Sequence, residues 1–130
     1  ESLFQNARSD GLDIDISNIS IKECKFITSG NDGLDVMTTD INVSSCEFVQ
    51  NGDKGISVGE WSNMSVSDSL FVENYIGLET KDKSKVKAKN LTIINSKDMA
   101  IHLYNKNKRY DEGGFLEAEN IALSGNKKVK

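Results

Sequence analysis

Four glycines, Gly11, Gly33, Gly55 and Gly77, stand 22 residues apart, and Leu12, Leu34, Ile56 and Leu78 follow them in step. A third column at the same interval holds Ile14, Val36, Val58 and Thr80. The second half of the period agrees: Ile19 and Ile41, Ile21 and Val43, Cys24 and Cys46, and Phe26 and Phe48 are again 22 apart. Met64, Val66, Ser69 and Phe71 arrive one residue late, after which Val86, Ala88, Leu91 and Ile93 resume the interval. Phe4 extends the pattern backwards, and Ala100, Ile101 and Leu103 extend it forwards with a second one-residue delay. Residues 105–114 interrupt it as a polar insertion, and Leu116, Ala118, Ile121 and Leu123 follow 30 residues after Val86, Ala88, Leu91 and Ile93. Such a chain builds its core by stacking copies, because no single copy can bury its own apolar side.

Within each copy apolar and polar residues alternate, as in Leu12, Ile14 and Ile16 and again in Ile19 and Ile21, which is the period of a strand. Neither the L-x-x-L-x-L-x-x-N run of leucine-rich repeats nor a hexapeptide period occurs. The expected fold is all-β: a right-handed parallel β-helix, a solenoid of about five coils of 22 residues. Equivalent residues then stack at the ~4.8 Å spacing of neighbouring strands. The lack of proline fits, since each would delete a ladder hydrogen bond. Residues 1–130 are expected to be a single domain. Phe4 already lies in mid-coil, so we expect a segment of a longer chain or a homo-oligomer, with neighbours capping the solenoid ends.

No apolar run approaches the roughly 20 residues that cross a bilayer, so no membrane span is expected. The net charge of -4 is divided unevenly, with 11 acidic and 4 basic residues in 1–60 against 9 acidic and 12 basic in 61–130. Opposite signs in the two halves argue against a nucleic-acid binder, which needs a uniformly basic face.

The Gly-[Leu/Ile]-x-[Ile/Val] strands and the I-x-I-x-x-C-x-F second halves resemble the pectate-lyase-like right-handed β-helix superfamily over nearly the whole chain. More narrowly, Asp53-Lys54-Gly55-Ile56-Ser57-Val58-Gly59-Glu60 followed by Ile76-Gly77-Leu78-Glu79-Thr80-Lys81-Asp82 is similar to solenoid segments of bacterial proteins associated with spore-coat-H-type kinases. The superfamily includes polysaccharide lyases, glycoside hydrolases, phage tailspikes and structural adhesins. The resemblance therefore implies a fold and leaves the activity open.

Candidate chemistry lies on the outward positions of the first strand of each coil. Asp13, Asp35, Ser57, Glu79 and His102 form one column, and Asp15, Met37, Gly59, Lys81 and Tyr104 the next. Asp10 and Asp32 precede the first two glycines. Asp10, Asp13, Asp15, Asp32 and Asp35 are thereby expected on one patch, where carboxylates ~5 Å apart repel unless solvated, protonated or bridged by a cation. They are the candidate ligands of a Ca²⁺ ion, which accepts several carboxylate oxygens. Lyases of the superfamily it resembles use such an ion to neutralise a uronate carboxylate before a Lys or Arg removes a proton, and on that reading Lys81 is the candidate base. A hydrolase would instead use Asp13 and Asp35 as paired carboxylates. His102, beyond Glu79, is a candidate for proton transfer near neutrality. The competing account of all these residues is a hydrophilic strand face.

Lys81, Lys83, Lys85, Lys87 and Lys89 alternate and are expected along one exposed surface. Trp61 is placed in a turn, where it either stacks on a sugar ring or packs locally. Cys24 and Cys46 are expected directly above one another as reduced, buried thiols. Two functions remain. The first is a non-catalytic or accessory module of a bacterial surface or secreted protein, contacting polysaccharide or protein. The alternative is a carbohydrate-active enzyme, a Ca²⁺-assisted lyase or two-carboxylate hydrolase, acting on an acidic polysaccharide.

Overall fold

The computed structural model describes residues 1–130 and contains thirteen strands and no helix. In chain order these are β1 (Ser2–Gln5), β2 (Leu12–Asp15), β3 (Asn18–Lys22), β4 (Cys24–Ile27), β5 (Leu34–Met37), β6 (Asp40–Ser44) and β7 (Glu47–Val49). There follow β8 (Lys54–Val58), β9 (Asn63–Val72), β10 (Ile76–Lys81), β11 (Lys85–Ile94), β12 (Met99–Tyr104) and β13 (Phe115–Ser124). A five-stranded sheet stacks β2, β5, β8, β10 and β12 in that order. The remaining strands make an eight-stranded sheet that folds around a corner: β3 and β6 lead into the first half of β9, and β1, β4 and β7 into its second half. Every pairing is parallel, so each step along the sheet is one coil. The architecture is the expected parallel β-solenoid of about five coils of 22 residues.

Parallel register converts sequence period into spatial stacking. Leu12, Leu34, Ile56, Leu78 and Ile101 occupy one row, as their spacing implies. Phe4, Phe26, Phe48 and Phe71 occupy another, with ring centroids 4.9, 4.9 and 4.8 Å apart and planes nearly parallel. Those separations are the strand spacing itself, and they fall within the range at which aromatic rings attract. The row continues in Ile93 and Leu123. A narrow interior is thus filled by one side chain per coil per row, which is why few aromatics suffice. The inner coils carry the buried core, whereas Leu3, Ile16 and Phe115 on the outer coils are exposed.

Each coil turns at three corners, each marked by a residue in the left-handed region. Asn6, Thr28, Gln50, Glu73 and Asn95 form one such row; Glu23, Ser45, Asp68, Asn90 and Asn120 form the second. Ile16, Thr38, Trp61, Asp82 and Lys83 form the third. A non-glycine residue pays about 1–2 kcal/mol to adopt this conformation, and here the ladders on both sides of each corner enforce it. Just after the first row, side chains turn inward. Asn51 Oδ1 accepts from Ser29 N, and Asn74 Oδ1 accepts from both the main-chain N and Nδ2 of Asn51. The Nδ2 groups of Asn51 and Asn74 donate to the carbonyls of Phe26 and Phe48. This buried amide ladder supplies partners for main-chain groups that the turn removes from the sheet.

Two expectations about side chains have definite outcomes. Cys24 and Cys46 are buried and free, each sulfhydryl directed to the carbonyl two residues back; burial pushes the Cys46 thiol above its usual range. The five alternating lysines do not share one surface. Lys81 ends β10 in one sheet, Lys85, Lys87 and Lys89 lie on β11 in the other, and Lys83 sits between them. The left-handed pair Asp82–Lys83 forms the corner that breaks the alternation.

Candidate functional site

The five-stranded sheet carries Asp13, Asp35, Ser57, Glu79 and His102 as one outward row, in the register read from the period. It is not the open hydrophilic face that outward parity suggests. Ser57 is fully buried and Glu79 is 4% exposed, because long side chains from adjoining rows fold over them. Lys81 Nζ donates to Ser57 Oγ at 2.9 Å and lies 3.5 Å from Glu79 Oε1. Lys54 Nζ approaches the same carboxylate at 3.8 Å. His102 Nδ1 lies 2.7 Å from Glu79 Oε2; an ionised carboxylate only accepts, so the ring donates its Nδ1 proton. Glu79 is therefore surrounded by three basic side chains. His102 in turn stacks on Tyr104 at 5.0 Å.

Of the five aspartates expected together, three converge. Carboxylate oxygens of Asp10, Asp13 and Asp35 lie within 4.8 Å of one another. Asp15 lies outside that group, and Asp32 is engaged elsewhere: its Oδ1 accepts from Lys54 N at 3.0 Å and faces Lys54 Nζ at 3.8 Å. Asp10 Oδ1 also accepts from Asn31 Nδ2 and Asp32 N. Burial raises the Asp35 carboxyl above its ordinary value, Asp10 and Asp13 adding to the shift while the Ser57 hydroxyl and Lys81 oppose it. Asp13 is raised as well, by desolvation first and then by Asp15 and Asp10. Lys54, for which burial acts downward, is carried upward by Asp53, Asp32 and Glu79.

Asp32 is pushed up to about 7, chiefly by burial, with Lys54 the main opposing influence. The folded protein thus holds this proton more tightly than the unfolded chain, whose carboxyl titrates near 3.8. The associated stability is fully present below the unfolded value and is lost as pH rises through the folded one. We expect the thermal midpoint to fall between about pH 4 and about pH 7, and Asp32→Asn, which keeps an acceptor for Lys54 N, to flatten that fall. Equal pH dependence in the two proteins, followed by circular dichroism, would remove Asp32 as the cause.

The insertion 105–114 lies back against this sheet. Asp82, fully buried at the corner after β10, accepts the main-chain N–H groups of Lys106 and Asn107 on one oxygen, at 2.8 and 2.9 Å. Its other oxygen is buried without a partner. Tyr110 donates its hydroxyl to Glu60 at 3.1 Å, and Lys83 N donates to the carbonyls of Glu112 and Gly113. Between loop and sheet opens a cleft of about 420 Å³, lined in part by Asp35, Gly59, Glu60, Lys81, Lys106 and Lys108. Gly59 leaves room for the Lys81 side chain at its edge, since a Cβ there would stand 2.4 Å from Lys81 Cε.

Lys54 and Asp82 escaped the reading of the sequence. Lys54 follows Asp10 and Asp32 at the same interval of 22, so extending that column would have found it. Asp82 has no such signal, because its partners belong to a segment outside the repeat.

The family described as a right handed beta helix region matches residues 1–127. Neither the curated proteins nor the solved structures contain a match.

Proposed function

The chain belongs to the family of right-handed β-helix regions, in which function resides in what decorates the coils, and we propose that it is a non-catalytic module binding an acidic polysaccharide in the cleft beneath residues 105–114. The observation that carries this proposal is the insertion itself, folded back on the sheet by Asp82 so that Lys106 and Lys108 face Lys81 across a ligand-sized space. A flat solenoid face gives a polymer length to lie along, and cations at the rim suit carboxylates. The fitting setting is the surface or surroundings of a bacterial cell, where the module serves a larger secreted or surface protein.

The non-catalytic part rests on Lys81 and Glu79. An ammonium that donates to Ser57 and pairs with Glu79 is already committed, and Glu79 is committed to Lys54, Lys81 and His102. The convergence of Asp10, Asp13 and Asp35 favours a second reading, a Ca²⁺-assisted lyase or two-carboxylate hydrolase. Their oxygens suit a hard cation. An ion bound there would neutralise a uronate carboxylate beside them, with Lys81 lining the same cleft as Asp35.

Calorimetric titration with oligogalacturonates and with neutral xylo-oligosaccharides separates binding from no binding. We expect saturable binding of the acidic series only, weakened about tenfold or more in Lys106→Ala/Lys108→Ala and less sensitive to salt there. If the wild type binds neither series, the proposal is wrong.

A further inference from the structure

Two of the three places where the chain departs from its period meet in space. One extra residue lies between Val58, in register with Val36, and Asn63, in register with Asp40; the segment so lengthened contains Glu60 and Trp61. The second of these is the insertion 105–114. Tyr110 of the insertion donates to Glu60 and sets its ring edge-on to Trp61, with centroids 6.2 Å apart. Lys83 Nζ stands 5.0 Å from the centre of the Trp61 ring, and the Arg109 guanidinium stands 5.0 Å from that of Tyr110. In stacked-repeat proteins, insertions gather on the face that binds.

Local packing does not use up this indole. Trp61 remains 54% exposed after its contacts with Tyr110 and Lys83. An exposed indole with a cation beside it is held only weakly by that cation, so a ligand can share or displace the contact. The cluster adjoins the cleft, since Glu60 lines that cleft and bonds to Tyr110. Aromatic faces take the apolar C–H face of a pyranose ring, Glu60 accepts from its hydroxyls, and flanking cations suit its carboxylate. A nucleic acid would bring denser negative charge onto a sheet that also carries Asp13, Asp15 and Asp35.

We infer that Trp61 and Tyr110 form an aromatic platform on which one ring of a uronate-bearing glycan stacks, with Lys83 and Arg109 meeting its carboxylate. The inference rests on the proposed binding of acidic polysaccharide and names where one sugar unit of it is held.

Trp61 is the sole tryptophan, so its emission reports the contact without any substitution. Titration of the wild type with oligogalacturonates should shift and quench that emission with the same midpoint that calorimetry gives. Trp61→Ala should bind about tenfold more weakly, with an unchanged far-ultraviolet dichroism spectrum, and Tyr110→Ala should weaken binding while keeping an emission change. In Lys106→Ala/Lys108→Ala the residual binding should still perturb Trp61. Glycan binding by the wild type with silent emission, or undiminished in Trp61→Ala, overturns the platform and leaves the cleft standing. No binding by the wild type overturns both. A stronger emission change with single-stranded DNA than with uronates overturns the choice of ligand.

Discussion

Replacing Phe48 by alanine should remove about 3–5 kcal/mol of folding stability, the range found for deleting a buried aromatic ring. Phe48 is fully buried and is stacked on both sides, by Phe26 and by Phe71. The strands above and below that ring are pinned by their own ladders, so the space does not collapse. Phe4 ends the same row with a single stacking partner and is only partly buried. Phe4→Ala should therefore lose markedly less. Denaturant midpoints for the two variants check the order, and a Phe4→Ala loss equal to that of Phe48→Ala would contradict an interior built by stacking. Domains of this size have only about 5–15 kcal/mol in total, so Phe48→Ala should also shift the thermal midpoint steeply.

The second large effect is expected at Asn74. Its side chain accepts from two groups of Asn51 and donates to the carbonyl of Phe48, all within the protein. Alanine leaves those groups buried and unpaired, at about 1–3 kcal/mol for each that water cannot reach. We expect a loss of about 2–4 kcal/mol for Asn74→Ala. Combined with Asn51→Ala, the losses should fall short of additivity by more than about 0.5 kcal/mol, since the two amides share a bond. Ser29 supplies the control. It stands in the same inward row, yet its hydroxyl is buried without a partner, so Ser29→Ala should be neutral or slightly stabilising. A clear loss at Ser29 together with none at Asn74 would contradict the ladder.

These two sites differ in how far the sequence discloses them. The phenylalanine row is legible because parallel register maps a 22- or 23-residue interval directly onto one strand spacing. The amide row follows the same rule, with Asn51 and Asn74 each three residues after a phenylalanine of the stack. A polar residue after a strand, however, reads as an ordinary turn, and nothing local says that it points inward. The corners are less legible still: Thr28, Gln50, Glu73 and Trp61 share a backbone conformation with no common side-chain chemistry. That conformation is imposed by neighbouring coils. It is also what sent Lys81 and Lys85 to different sheets.

The candidate site divides in the same way. Register gave the row from Asp13 to His102 and the contact of Glu79 with His102. Parity failed on exposure, because alternation assigns a face to a side chain and says nothing about the lysines that fold across it. Ser57 and Glu79 are covered by Lys54 and Lys81 despite pointing outward. The cleft was beyond reach, since it exists only through the docking of 105–114 on Asp82, and an insertion has no counterpart in the repeat from which its path can be read.

The most direct test of the functional account is to follow binding and chain length in one experiment. The wild type is held with an oligogalacturonate of uniform length, with calcium and separately with a chelator, while calorimetry records binding and mass spectrometry records the recovered chains. Saturable binding with every chain recovered intact, in both conditions, is the result expected of a binding module built on Lys106 and Lys108. Shortened chains bearing unsaturated or new reducing ends would instead assign catalysis to the Asp10, Asp13 and Asp35 group, and the absence of any binding would contradict the account at its centre.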